Sequence, residues 1–231
     1  MAAYEVPREP LANALRLTLP LAFIAGVVDV VGFVALFGLF TSHFTGNFVI
    51  IGQEIVQHSL RLIAELIAIP VFLIVIGLCR LFAVRYEQQG RSPFCAFLLI
   101  QALLLATCMT IGIAASPISG PADPASIVAA QFGVAAMAVQ NAYARLILPC
   151  HPSTTVMTVN TSQTAIDFVD MYRGVPGLSE VARDRFKHTA PVVLSFVAGV
   201  IAGAYGYLFL SFWCLVVPVA GLLVLAARVW R

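Results

Sequence analysis

Long runs of apolar residues dominate the sequence and limit the folds open to it. Six segments are each long and apolar enough to cross a bilayer, which takes about 20 helical residues. Only 10% of the 231 residues are charged, whereas soluble domains carry about 25%. The chain is therefore predicted to be an all-α integral membrane protein with a single membrane domain, residues 1–231. The six segments are approximately 17–40, 60–82, 94–116, 125–148, 188–209 and 212–230.

Two shorter segments, residues 43–58 and 153–172, lie between these runs. Each fits a short span, a re-entrant half-helix or an interfacial helix, and the placement of Lys and Arg decides whether they cross. With six spans and a cytoplasmic N-terminus, 12 of the 13 Lys and Arg residues lie inside and only Arg61 lies outside. Letting both short segments cross gives 9 inside and 4 outside. The sequence therefore predicts six spans, with both termini in the cytoplasm.

Three spans and one short segment occur twice, in residues 11–116 and 125–231. The short segments align with an offset of 113 residues, and upstream of them Asp29 falls close to Gln140 and Asn141. Because each half has an odd number of spans, the second half is predicted to enter the membrane inverted. Inverted repeats are common in secondary transporters. The aligned pairs of the short segments are Thr45 with Thr158, Asn47 with Asn160, and Glu54 with Asp167.

The sequence resembles the YoaK-like family of bacterial inner-membrane proteins (domain of unknown function 1275). The resemblance covers nearly the whole chain and implies six spans, a location in the bacterial inner (plasma) membrane, and no established activity. One position departs from the family pattern, since Val159 stands where the second T-G-N triplet has Gly. The matching residues are Gly26, Asp29, Gly32 and Phe33, then Thr45-Gly46-Asn47, then Val139-Gln140-Asn141-Ala142.

Asp29 lies near the middle of the first predicted span. A charge there costs about 2.5–3.5 kcal/mol, so such residues usually face a cavity, a partner or a proton path. One hypothesis is a protonation or cation site coupled to transport. The alternative is a neutral Asp that hydrogen-bonds a neighbouring helix. Gln140 and Asn141, at the matching place, cannot titrate, so a site at Asp29 is predicted to be chemically asymmetric.

The triplets Thr45-Gly46-Asn47 and Thr158-Val159-Asn160 are typical of helix N-termini. A helix that starts inside the bilayer directs free N–H groups at an anionic or polar solute. The alternative is an ordinary cap at the membrane interface. Glu54 and Asp167, seven residues after each Asn, are expected to be solvated helix ends rather than gate residues.

Small residues recur at every fourth position of the fifth predicted span, Gly199 and Gly203 among them. They allow a tight helix contact, either internal or in a homodimer. The five cysteines are scattered without a C-x-x-C pair, so no metal site and no cofactor is expected. A net charge of +2 provides no basic nucleic-acid surface; the expected partners are the lipid bilayer and a small solute or ion.

The sequence contains no G-x-S-x-G, no H-E-x-x-H and no pair of intramembrane acids at catalytic spacing, so an enzyme is not expected. His43 and His151 are expected on opposite faces of the membrane, outside any shared site. The leading hypothesis is a secondary transporter of a small polar or anionic solute, proton-coupled through Asp29. The alternatives are a passive channel for a small solute and a non-transporting structural or partner-binding subunit. The predicted substrate-binding or ion-binding residues are Asp29, Thr45, Gly46, Asn47, Gln140, Asn141, Thr158 and Asn160.

Overall fold

The computed structural model describes residues 11–57, 62–174 and 177–230. Every regular element within these ranges is a helix. Arg61, the one basic residue expected outside, falls beyond the described residues, as do Arg8 and Arg231. The α-helices are α1 Leu11–Ala35, α2 Gly46–Gln57, α3 Leu62–Gln88, α4 Phe94–Ala115, α5 Pro124–Leu146, α6 Met157–Arg173, α7 Leu178–Leu210 and α8 Val216–Trp230, with a 3-10 turn, Ser211–Leu215, between α7 and α8.

Five helical stretches are long and apolar enough to cross a membrane. They are α1, most of α3, α4, α5, and the stretch Leu178–Trp230, which contains α7 and α8. Large apolar side chains on their surfaces are exposed, such as Leu103 at 67%, Leu208 at 71% and Phe209 at 76%. Soluble proteins rarely expose apolar surface on this scale. The helices therefore indicate a multi-pass membrane protein.

The stretch Leu178–Trp230 folds back on itself at the 3-10 turn. Ser211 ends α7 with a φ of 50°. A Cβ placed on Gly206 would lie 2.9 Å from the Cβ of Cys214, whereas eight residues of a continuous helix span about 12 Å. After the turn, α8 packs against α4.

The helix α7 begins ten residues before the predicted span 188–209. The charged residues that precede the predicted span form the first turns of this helix. Ala182 is buried in these turns, while Arg183, Asp184 and Lys187 remain exposed. A helix can continue beyond its apolar part when one face is still packed.

The long helices alternate in direction along the chain. Parallel contacts join α1 with α7 and α3 with α5, and antiparallel contacts join α4 with α5 and α8. Helix α1 is antiparallel to α5, since Leu21 bonds Gln140 while Gly32 and Gly133 both face Thr41. Helices α1, α4 and α7 therefore point one way, and α3, α5 and α8 point the other way. For α1 and α7 the contacts are Leu19 with Ser195 and Phe23 with Gly199, and for α3 and α5 they are Ala64 with Gln131 and Arg80 with Arg145. For α4 and α5 they are Gln101 with Gln140 and Cys108 with Gly133. For α4 and α8 they are Cys95 with Ala226, and Gly112 with Phe212 of the 3-10 turn that precedes α8.

Glycines bring the backbones of α1 and α7 into direct contact. A Cβ on Gly199 would overlap the carbonyl oxygen of Phe23, and a Cβ on Gly26 would overlap that of Phe196. Gly203 also faces α1, against Val27. The tight contact predicted from the small residues is therefore made inside one chain, between α1 and α7.

Few side chains of helices α2 and α6 are fully buried. Asn47 and Glu54 are the buried residues of α2, and Asn160 and Asp167 occupy the same positions on α6. The expectation that Glu54 and Asp167 are solvated is wrong, since they are 1% and 0% exposed. The spacing of seven residues places each acid on the same helical face as its Asn, and that face is the packed one.

Asp167 is held by a buried ion pair that connects α6 to α7. Its Oδ1 accepts hydrogen bonds from Arg185 Nη2 at 2.7 Å and from Gln163 Nε2 at 2.9 Å. The side chains of Asp167 and Arg185 are 0% and 15% exposed. The ion pair between Arg80 and Glu87 is by contrast 52% exposed on both sides.

We expect Gly199→Ala to destabilise the bundle, because its methyl group forces α1 and α7 apart. Overpacking of this kind costs about 1–3 kcal/mol. Gly77→Ala is the matched control, since a Cβ there meets no heavy atom within 4 Å. Thermal unfolding in detergent measures both, and equal melting temperatures for the two variants would refute the close helix contact.

Loss of the buried acid is expected to cost far more than loss of the exposed one. Asp167→Asn leaves Arg185 without its counter-charge, and breaking a buried pair costs about 3–5 kcal/mol. Glu87→Gln removes an exposed pair and is expected to cost at most about 1 kcal/mol. The free energy of unfolding by SDS in mixed micelles compares them; a loss at Asp167 as small as that at Glu87 would contradict the pair's structural role.

Candidate functional site

The chain leaves α1, turns back alongside it over residues 36–45, and then enters α2. Gly38 makes the turn with a φ of 100°, in the left-handed region that favours glycine. The returning segment passes Asp29, which is 5% exposed. Asp29 Oδ1 accepts a hydrogen bond from Ser42 N at 2.7 Å and lies 3.4 Å from both His43 N and Thr41 Oγ1. The carboxyl group of α1 therefore anchors the returning backbone.

His43 pairs with the second oxygen of the same carboxyl group. Its Nδ1 lies 2.5 Å from Asp29 Oδ2. The hydrogen bond that His43 donates to Asp29 raises the pKa of His43 above its ordinary value of 6.5, although partial burial acts in the opposite direction. With the carboxylate ionised, the pair carries one negative charge when His43 is neutral and no net charge when His43 is protonated.

A cavity of about 500 Å³, here called the first cavity, lies beside this pair. Its volume is within the range of small-molecule sites. Aromatic rings form much of its wall, with the Phe33 and Phe40 rings 4.7 Å apart and the Phe196 ring 5.4 Å from His43. The lining residues are Asp29, Val30, Phe33, Phe40, His43, Thr45, Gly46, Phe196 and Val200.

Asn47 and Asn160 use their amide groups to close the segments that precede α2 and α6. Asn47 Oδ1 accepts from Phe40 N at 2.9 Å, and Asn47 Nδ2 donates to Phe40 O at 2.8 Å. Asn160 Nδ2 donates to Ser153 O at 2.6 Å. Neither Asn is among the residues that line the first cavity. Both Asn residues therefore hold backbone, at equivalent places in the two halves.

The start of α2 lies at the first cavity, but its first N–H groups are occupied. Gly46 N donates to His43 O at 2.8 Å, and Asn47 N donates to Phe44 O at 3.1 Å. These donors are not free for a solute, so an anion at this helix start lacks two of its expected ligands. Thr45 lines the cavity, whereas Thr158, its counterpart on α6, lies on the exposed side of that helix.

The second half repeats the loop contacts around α5 and residues 147–156. Thr155 Oγ1 donates to Asn141 Oδ1 at 2.8 Å, and Gln140 Nε2 donates to Thr154 Oγ1 at 3.0 Å. Gln140, which is 0% exposed, also donates to the carbonyl of Leu21 on α1. The equivalent contacts in the first half are Ser42 with Asp29 and Thr41 with the carbonyl of Val28.

A second cavity, of about 430 Å³, occupies the corresponding place between α3 and α5. It is lined by Asn141, Ala142 and Arg145, each 112 residues after Asp29, Val30 and Phe33 of the first cavity, together with Phe72, Ile76, Arg80 and Leu146. Because α1 and α5 are antiparallel, the two cavities lie in opposite halves of the bundle. An acid and a phenyl ring in the first cavity are replaced by an amide and an arginine in the second.

The Val that departs from the family pattern has a steric explanation. A Cβ on Gly46 would lie 2.9 Å from the Phe40 ring, so a larger residue there would have to displace that ring. The counterparts of Phe40 and Gly46 are Ser153 and Val159, and Val159 is 65% exposed. With no ring at position 153, the second half has room for a branched side chain.

The site differs in part from the residues predicted from the sequence. Of the eight predicted residues, Asp29, Thr45 and Gly46 line the first cavity, and Asn141 lines the second. The other four, Asn47, Gln140, Thr158 and Asn160, line neither cavity. His43 and the three phenylalanines are absent from the prediction. A signal for His43 exists, since the turn at Gly38 folds the chain back over the 14 residues that separate it from Asp29.

Among the described residues, no group of three His, Cys, Asp or Glu side chains is placed to hold a metal ion. The model of one protein family, Protein of unknown function (DUF1275), matches residues 17–228. No curated protein and no solved structure gives a significant match.

The steric pairing of Phe40 with Gly46 is expected to appear as an energetic coupling. Gly46→Val should destabilise the protein by about 1–3 kcal/mol, and Phe40→Ser should remove most of that penalty, because it recreates the Ser153 and Val159 pair. Unfolding free energies of the single and double variants measure the coupling. Gly52→Val, where a Cβ meets no heavy atom within 4 Å, is the control; equal coupling of Phe40→Ser with both substitutions would refute the explanation.

Proposed function

The chain belongs to the DUF1275 family over residues 17–228, and we propose that it is a secondary transporter, not an enzyme, coupled to protons through the pair of Asp29 and His43. One observation carries the proposal: a carboxyl group that is 5% exposed pairs with a histidine on the wall of a cavity of about 500 Å³. Acids within membrane helices mark proton and ion paths. The solute binds in the first cavity, beside this pair.

The proposed architecture has six crossings in two inverted repeats, with α2 and α6 as re-entrant half-helices. The alternating helix directions support it, as do the equivalent loop contacts and cavities of the two halves. Arg16 of α1 and Arg228 of α8 line one groove, and Arg80 and Arg145 line the second cavity. Basic residues therefore gather at one end, in line with a cytoplasmic side that also holds both termini. The membrane is the bacterial inner membrane, as the resemblance to the family implies.

The proton acceptor in this proposal is the imidazole of His43. Its Nδ1–H donates to Asp29, so an incoming proton adds to Nε2 and forms an imidazolium whose charge the carboxylate balances. The pair then changes its net charge by one without breaking the contact that anchors the loop. The first cavity contains no other titratable side chain among its lining residues.

A transporter fits the bundle interior better than a passive channel does. Polar side chains of α4 and α5 are bonded to each other, with Gln101 Nε2 2.7 Å from Gln140 Oε1 and Tyr143 Oη 2.9 Å from Gln101 Oε1. All three are 0% exposed. A wet pore needs polar groups open to water. In transporters built from inverted repeats, the site is open alternately to the two sides of the membrane, and two cavities at opposite ends of the bundle suit such a cycle.

Transport driven by a pH gradient is expected for the wild-type protein and not for Asp29→Asn or His43→Gln. The measurement is uptake into proteoliposomes, with and without an imposed gradient, of a panel of labelled cationic, neutral and anionic solutes. The physical reason is that neither variant can switch the charge of the pair. Glu87→Gln, in an exposed ion pair away from the cavity, is the control and should behave as wild type. Gradient-driven uptake that survives both substitutions, or no uptake of any class, would overturn the proposal.

A further inference from the structure

We propose that the solute of the first cavity is an apolar organic cation that exchanges for a proton. This inference rests on the proposed function, since it assigns a chemical class to the solute of that same site. The sequence alone favours a small polar or anionic solute, whereas the charges and side chains that line the cavity favour an apolar cation.

The electrostatics of the first cavity favour a positive charge. Asp29 is the one acid among its lining residues, and neither Lys nor Arg is among them. The backbone donors that an anion needs are already used, by Asp29 and by the carbonyls of the turn into α2. A carboxylate that is only 5% exposed interacts strongly with a nearby cation, because little water screens it.

The side chains that form the walls of the first cavity indicate that the uncharged part of the ligand is apolar. Phe33, Phe40 and Phe196 line it, and Val30 and Val200 complete the apolar surface. Aromatic rings attract organic ammonium groups through their electron-rich faces, and they do so best where water is excluded. A compact polar solute would leave its hydrogen-bonding groups unpaired against these walls. The solute is therefore an ammonium or related cation with an apolar substituent.

Proton binding and cation binding compete for the same charge. Helix α7 contributes Phe196 and Val200 to the cavity, α2 contributes Gly46, and α1 contributes Val30 and Phe33. Asp29 and His43 are therefore the only ionisable side chains among the lining residues. When His43 is neutral, the pair offers one negative charge to the cation. When His43 gains a proton, that charge is neutralised and the cation is released. One proton replaces one monovalent cation, so the exchange balances charge.

The second cavity does not offer an equivalent site. Its residue at the place of Phe33 is Arg145, its residue at the place of Asp29 is the uncharged Asn141, and Arg80 lies opposite. An arginine repels a cation and removes one aromatic wall. The structure therefore predicts a single cation site in each chain.

Binding of benzyltrimethylammonium to the purified full-length protein in nanodiscs tests the inference by calorimetry. This probe has a permanent charge, so pH acts only on the protein. We expect one site per chain and binding that weakens about tenfold for each pH unit below the pKa of His43, because the proton competes with the probe. The uncharged carbon isostere, neopentylbenzene, should bind more than about tenfold more weakly at pH 8.

Substitutions separate the contributions of charge, proton and ring. Asp29→Asn should weaken binding more than about tenfold. His43→Gln keeps a donor to the carboxylate and cannot titrate, so binding should persist and become independent of pH between about 5.5 and 8. Phe196→Leu should weaken binding about 2- to 30-fold. Phe48→Leu is the matched control, since Phe48 is 52% exposed and lies outside the cavity.

The outcomes distinguish this inference from the proposed function. Absence of probe binding, binding unchanged in Asp29→Asn, or equal affinity for the neutral isostere overturns the cation assignment. If the uptake assay still shows proton-coupled movement of a different solute class, transport stands and the cation assignment falls. If the probe binds in competition with protons but no solute is taken up, the cation assignment stands and transport falls.

Discussion

The structure depends on one constraint: backbone groups that leave a helix inside an apolar bundle must find hydrogen-bond partners in the protein. In this chain the constraint applies to residues 36–45 and 147–156, which are not helical throughout and lie against the bundle. Asp29 and Asn47 pair with the backbone at residues 40, 42 and 43 in the first half, and Asn160 does so at residue 153 in the second. Non-helical backbone at membrane depth is tolerated only when it is buried against such partners. The polar residues that stand out in the sequence are therefore needed in part to bond the backbone of two segments that fold back against the bundle.

The long helices are predictable because apolar runs directly report the length needed to cross a bilayer. Helices α1, α3, α4 and α5 begin and end within six residues of their predictions. The early start of α7 is not predictable from hydropathy, since charged side chains occupy its exposed faces. Burial of Glu54 and Asp167 escapes prediction for a related reason: an acid on a short helix has no pattern that distinguishes a packed face from a wet one.

The candidate site is predictable only where a residue is unusual for its surroundings. Asp29 is such a residue, a single acid inside an apolar run. His43 and Phe196 are not, because their place beside Asp29 depends on the path of a loop and on a contact across the chain. The T-x-N triplets show the opposite problem, since a strong local pattern points to a solute while the amides of Asn47 and Asn160 are used by backbone. The properties of a single residue are enough to identify the carboxyl group of Asp29, whereas its neighbours His43 and Phe196 can be identified only from the fold.

The glycine contact between α1 and α7 has a mechanical consequence. The two backbones touch at Gly26 and Gly199, so no side chains separate them there. Sliding of one helix along the other would bring backbone carbonyl groups into steric overlap. The two helices therefore move as one rigid lever. That lever carries Asp29 and Phe196, so the distance between the charge and the ring opposite it is preserved throughout any movement. A change in access at the first cavity would therefore have to come from parts outside this pair, such as α2, whose buried residues are Asn47 and Glu54.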